Sequence, residues 1–211
     1  MSAKKPRRKL QKRTKQKTKK RKLKFQQLTN KVKKIAVDAL RVCTQKGTHR
    51  PTVAIDFRYR GPGWKRLKKP HHLMIWSVND GTGENPGIVK GGVEVGEKLF
   101  VAAYREPAEE VGMRREHIIF RGYGGTRSVR SLKQKGGFPK KLYIILYADY
   151  IGPWKLIVNP NEISRQAWQT DVQIEKTLTE LDALRPDKGK VLREALATVL
   201  PYLRKKKKEK Q

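Results

Sequence analysis

The sequence predicts an α/β fold, a mixed sheet held between helices, and three observations lead there. Segments with a two-residue apolar alternation are interspersed with segments whose apolar residues recur every three or four, the pattern of strands and helices stacked in layers. Hydrophobic residues make up 36% of the 211-residue chain, enough for one globular domain with extensions. The lysine-rich ends bury nothing and set that domain's limits.

The elements follow in chain order. Residues 1–34 carry 17 Lys or Arg and no acid, so this arm, with its run Lys19-Lys20-Arg21-Lys22, repels itself and is expected to be disordered. Leu28, Val32, Ile35, Ala36, Ala39, Leu40 and Cys43 recur at helical steps, and Gly47 ends the pattern. Residues 35–49 are therefore read as a helical extension. Residues 51–59 alternate and are β-rich; Gly61-Pro62-Gly63 makes a turn and a basic loop follows. A second strand is expected over residues 72–78, and a loop over 80–87. Residues 118–122 suit a strand, 124–140 a mobile basic loop with two Gly-Gly pairs, 142–150 a strong strand and 154–158 a short one. Further segments follow at 166–168 and 172–183, and a closing helix at 188–203. Trp76, Trp154, Trp168 and Tyr143 are expected in the core, while Trp64 and Tyr123 are divided between core and stacking on a base. Residues 204–210 hold six Lys or Arg against Glu209, so 204–211 is a second basic tail.

The total charge of +32 leaves +10 on the part between arm and tail. A basic excess that continues into the domain points to nucleic acid, through neutralised phosphates and released counterions. A solubilising or localising tail, or an anionic membrane surface, is the alternative. With only Phe25 among its charges, the arm would bind by charge and read little sequence. No apolar run reaches the roughly 18 residues of a membrane span, and the N-terminus lacks the apolar region of a secretory signal. The lysine-dominated start is a poor mitochondrial presequence. Cys43 is the only cysteine, so no intramolecular disulfide forms, which fits a reducing compartment. The expected location is cytoplasmic, or nuclear or nucleolar in a eukaryote. Histidines 49, 71, 72 and 117 make no zinc spacing with that cysteine, and His71-His72 reads as the polar start of a strand.

The chemistry concentrates in residues 91–113. Glu106, Glu109 and Glu110 fall three and four apart, on one face of a helix. Like charges there repel, so a cation is expected among them, and carboxylate oxygens suit Mg²⁺ or Mn²⁺. Gly91 and Gly92 let backbone approach a phosphate or metal closely, and Gly112 sits where the helix would stop. Arg105 stands four residues before Glu109, placed to pair with Glu109 or Glu110. Pro107 removes a helical hydrogen bond at a cost of about 3 kcal/mol, so the helix either kinks there or is held by its neighbours.

Gly91, Glu97, Arg105, Glu106, Glu109, Glu110, Gly112 and Met113 resemble the Nudix box, Gly-x5-Glu-x7-Arg-Glu-U-x-Glu-Glu-x-Gly-U, with Pro107 as the departure. The resemblance implies a Nudix-type α/β/α sandwich over residues 50–203, flanked by the basic tails. It implies a metal-dependent hydrolase of nucleoside diphosphates linked to X, with Glu106, Glu109, Glu110 and Arg105 catalytic and Glu97 an outer or extra ligand. Asn161-Glu162-Ile163, followed by a Trp on a strand, is similar to the way many Nudix domains continue, so Glu162 is a candidate further ligand. Any of these acids is open as the base. Lys133 to Tyr143 bears a short similarity to bacterial RNA pyrophosphohydrolases. The family's markers for ADP-ribose or dinucleoside polyphosphates are absent where Ser128 to Ser131 stand.

The leading expectation is a pyrophosphohydrolase acting on RNA 5′ ends (triphosphate, diphosphate or cap), with Arg127, Arg130, Lys133, Lys135 and the arm along the RNA backbone. The alternatives are a non-catalytic Nudix-fold RNA-binding or ribonucleoprotein component, and a hydrolase of small nucleotides such as dNTPs or dinucleoside polyphosphates.

Overall fold

The alternating segment expected over residues 51–59 becomes the centre of the sheet in a computed structural model, which describes residues 49–78, 85–130, 140–184 and 200. The strands are β1 (His49–Tyr59), β2 (His72–Ser77), β3 (Asn85–Gly87), β4 (Val89–Gly92), β5 (Ile118–Arg130), β6 (Lys140–Tyr150) and β7 (Ile163–Gln169). The helices are α1 (Leu99–Val111) and α2 (Asp171–Leu184). The basic arm, the helix expected before residue 47, Cys43, Lys133, Lys135, the closing helix up to residue 199 and the tail lie outside the described residues.

The sheet order is β3-β2-β1-β6-β5, with β4 added on β1 and β7 on β2. β1 and β6 run parallel from His49↔Lys140 to Tyr59↔Tyr150, and the other pairs are antiparallel. This is the mixed sheet the sequence predicts. Alternation in β1 sorts its side chains between two cores. Val53, Ile55, Phe57 and Tyr59 pack on the α1 side with Leu99, Ala102, Ala103 and Val111. Ala54 packs on the other side with Met74, Trp76, Ile145, and Ile174 and Leu178 of α2. The result is an α/β/α sandwich. Among the described residues no helix is long and apolar enough to cross a membrane.

Four expectations are corrected. The loop expected over 80–87 is strand at its end, where Asn85–Gly87 pairs with β2 from Ile75↔Gly87 to Ser77↔Asn85. The basic loop expected over 124–140 is strand up to Arg130: β5 stays paired with β6 from Ile118↔Tyr150 to Arg130↔Lys140. Its glycines serve bulges, with register shifts at Phe120/Gly122 and Tyr123/Gly125 and φ of 97° at Gly125. A Gly-Gly pair signals a turn or a bulge equally well. Residues 154–158 form no strand. The Trp154 carbonyl accepts the Trp168 indole N–H at 2.8 Å, and the next segment ties to α1 through Asn159 N–H to Glu110 O at 3.0 Å. Trp154 itself is not core: it remains 42% exposed, whereas Trp76, Trp168 and Tyr143 are buried.

α1 runs continuously through Pro107. The buried stripe Leu99, Ala102, Ala103, Glu106, Pro107, Glu110 and Val111 places the proline against the core, so packing offsets the missing bond. Gly112 ends the helix with φ of 63°, as its position predicts. Its N–H bonds the Ala108 carbonyl at 3.1 Å, and the Met113 N–H bonds that of Pro107 at 3.0 Å.

Candidate active site

The last turns of α1, strand β4 and the loop before β7 assemble an acidic site. The β1–β4 register puts Gly91 opposite Val53, whose side chain faces α1. A glycine there leaves the space that the Glu106 carboxyl fills; a Cβ at Gly91 would overlap it. Gly92, next along, would bring a Cβ against the Arg50 guanidinium. These glycines permit close approach of side chains to backbone, as expected, and the group approaching Gly91 is a carboxylate of the chain itself.

The helical face divides its three acids. Glu106 and Glu110 are buried, at 8% and 9% exposure, and continue the apolar stripe of α1. Glu109 is exposed on the rim. Arg105 is a cation that the chain itself sets against two of them. Its Nη1 lies 2.8 Å from Glu106 Oε1 and 3.0 Å from Glu109 Oε2. Its Nε and Nη2 donate to the two oxygens of Glu97 at 2.9 and 3.0 Å, and Nη2 donates to the Gly92 carbonyl at 2.9 Å. A planar guanidinium thus clamps loop to helix, and its bond to Glu97 holds that carboxyl below the usual range. Glu97 acts through Arg105 in this arrangement, its second oxygen also accepting the Glu94 N–H at 3.0 Å.

Burial pushes the Glu106 carboxyl up, against the pull of Arg105. It pushes Glu110 up to about 7, against the charge of Lys90 and the Lys90 N–H, which donates to Oε2 at 3.3 Å. The negative charge of Glu162 raises both, and Asn159, three residues before it, donates its N–H to the Glu110 carbonyl at 3.0 Å. Lys90 is a neighbour of Glu110 that the spacing of the acids does not reveal. Only the register of β4 against β1 places it, though its position just before Gly91 was a signal.

Among the described residues no three His, Cys, Asp or Glu are grouped so as to hold a metal ion. Glu106, Glu110 and Glu162 carry the kind of oxygen donor that a hard divalent cation takes, and the charge of Glu162 raises the proton affinity of the other two. Arg105 spreads its charge over Glu97, Glu106 and Glu109, so the buried acids remain under-neutralised.

Replacing Arg105 by Lys keeps the charge and loses the fork that reaches three carboxylates and a carbonyl. The expected result is a fall in turnover of roughly 10- to 100-fold, with little change in substrate KM, read from steady-state kinetics at saturating metal.

Of the nucleic-acid candidates, Arg127 and Arg130 lie among the described residues. Arg127 is exposed on β5, with Nη1 on the Thr126 carbonyl at 2.7 Å, and Arg130 closes the paired part of that strand. Trp64, a stacking candidate, lies under the Arg60 guanidinium, 4.1 Å from its ring, and packs on the core, as does half-buried Tyr123.

A family model for the NUDIX domain matches residues 64–195. Similar solved structures include a C. elegans Ap4A hydrolase binary complex, 18% identical, covering 70% of this chain and 96% of that chain, with a TM-score of 0.47. The NUDIX domain of Shewanella oneidensis NrtR complexed with ADP ribose is 13% identical, with 61% of this chain and 77% of that chain covered and a TM-score of 0.47. The Nudix hydrolase RenU from M. smegmatis is 18% identical, with coverages of 66% and 89% and a TM-score of 0.47. A comparison with curated proteins gives no match.

Proposed function

Because the chain belongs to the Nudix family of phosphoanhydride hydrolases, we propose that it cleaves the 5′-terminal phosphoanhydride of an RNA (triphosphate, diphosphate or cap), using a divalent cation held by Glu106, Glu110 and Glu162. The observation that carries the RNA part is charge. The chain has a net +32, and basic residues continue from the arm into the exposed loop at Lys65, Arg66, Lys68 and Lys69. A small-nucleotide hydrolase has no need of such a surface, whereas a polynucleotide offers a phosphate for each cation.

Glu106, Glu110 and Glu162 would hold the Mg²⁺ or Mn²⁺, which when bound would supply Lewis acidity toward a phosphoryl oxygen, a more acidic water and positive charge for the leaving phosphate. The chain's own groups supply the rest. Gly91 lets Glu106 lie against β4, and Arg105 fixes Glu106 relative to Glu97 and Glu109. Glu109, on the rim, is placed to join from the solvent side. Lys90 keeps positive charge beside Glu110, where it would also meet the substrate's phosphates. The unbroken helix through Pro107 supports the catalytic reading, because it keeps Glu106, Glu109 and Glu110 on one helical frame.

The test is a substrate panel with the purified full chain and either metal: 5′-triphosphate RNA, capped RNA, dinucleoside polyphosphates and dNTPs. RNA ends are expected to have the highest kcat/KM. Deleting residues 1–34 should weaken RNA binding and make its salt slope shallower by about 0.7 for each phosphate the arm no longer neutralises, while free dinucleotide hydrolysis survives. Turnover confined to free nucleotides, or a deletion that affects both substrates equally, contradicts the proposal.

A further inference from the structure

We propose that Trp154 and the cationic loop at residues 60–69 form a track for single-stranded RNA leading away from the acidic site. This rests on the RNA 5′-end reading and extends it to the nucleotides behind the first.

The stretch between β1 and β2 carries Arg60, Lys65, Arg66, Lys68 and Lys69 and no acid. The last four of these are exposed. The loop is braced rather than free. Trp64 and Leu67 pack on the core, the Arg60 N–H bonds the Tyr150 carbonyl at 2.7 Å, and the Gly61 backbone abuts Gly152 so closely that no Cβ fits. Beside it, residues 151–155 add Lys155 and again no acid.

Trp154 stands at the junction of the two segments. Its ring meets Tyr59 edge to face at 4.6 Å and His71 at 5.5 Å, yet it is 42% exposed. One exposed apolar side chain is ordinary. A clamped indole one residue before exposed Lys155, its ring against His71 at the end of a loop with four exposed cations, suits a stacking platform beside phosphate contacts. An acidic peptide would answer the charges and leave the indole unused, so RNA is the better occupant.

The same segment connects this surface to the carboxylates. Leu156 is buried in the core, Asn159 bonds the Glu110 carbonyl at 3.0 Å, and Glu162 acts electrostatically on Glu106 and Glu110. From Trp154 to Glu162 the backbone spans no more than about 28 Å fully extended. A 5′ end at the acids therefore reaches the indole within a few nucleotides.

The experiment uses the full chain and a labelled single-stranded RNA with a 5′-hydroxyl, which contains no anhydride, at raised ionic strength to suppress the arm's charge contribution. Trp154→Ala should bind roughly 5- to 100-fold more weakly and Trp154→Phe should recover most of the loss. Lys68→Glu with Lys69→Glu should weaken binding and flatten its salt slope. With 5′-triphosphate RNA, Trp154→Ala should raise KM while free dinucleotide hydrolysis is unchanged. If Trp154→Ala fails to fold, the exposed lysine pair decides. Unchanged RNA binding in these variants, or equal competition by polyglutamate, overturns the track. RNA-end hydrolysis indifferent to Trp154 sinks the track alone, whereas Trp154-dependent binding without end hydrolysis sinks the 5′-end reading alone.

Discussion

Glu110→Gln is expected to abolish turnover and, in the same molecule, to stabilise the metal-free fold above neutral pH. The carboxyl is 9% exposed, and burial raises its pKa from 4.5 to about 7. Between those values the unfolded chain has released the proton and the folded chain still holds it. Stability therefore falls as pH rises through that window, by on the order of 3 kcal/mol if no cation is present. Glutamine does not titrate, so the variant's advantage is absent below pH 4.5, grows across the window and is complete above 7. Chemical denaturation in chelator at several pH values measures it. Saturating Mn²⁺ should reverse the order, because it stabilises only the chain that binds it. Turnover should fall by roughly 10²- to 10⁴-fold or more. A variant that is both inactive and less stable at every pH would mean that Glu110 is structural.

Gly91→Ala should disable the site from the backbone side. Elsewhere in a strand this change would stabilise by about 0.4–1 kcal/mol through the unfolded chain. Here the new methyl would occupy the place of the Glu106 carboxyl. The acid must move, and its ion pair with Arg105 Nη1 at 2.8 Å goes with it. Turnover and metal affinity are each expected to drop roughly 10- to 100-fold. Shortening the acid should restore part of the loss, so Gly91→Ala with Glu106→Asp should be more active than the product of the two single effects predicts. Strictly multiplicative losses would show that Gly91 and Glu106 do not share that space.

Much of this was legible in the residues. β1, β2, β6 and α1 follow from apolar periodicity, because each has one face or both against a core. β5 was cut short because its glycines look like turn formers when they are bulge residues opposite β6. Trp154 is apolar enough for the core, but the irregular path of residues 151–158 leaves it exposed. In the site, spacing put three acids on one helical face but not at one depth. Glu109 and Glu110 lie about 100° apart on the helix, either side of Glu106. The signal that separates them was present: Glu106 and Glu110 extend the stripe of Leu99, Ala102 and Ala103, and Glu109 does not. Lys90 and the close approach of Gly91 to Glu106 needed the strand register, which a local motif does not encode.

Buried carboxylates at the end of α1 should capture a divalent cation and lose a proton in doing so, and the chemistry at this site depends on that exchange. Calorimetric titration of Mn²⁺ near pH 7, in two buffers of different ionisation enthalpy, measures both halves at once. Saturable binding to the full chain is expected, with release of a fraction of a proton per ion, and that release should vanish in Glu110→Gln. No binding at millimolar Mn²⁺, or the same proton release from the variant, would contradict it.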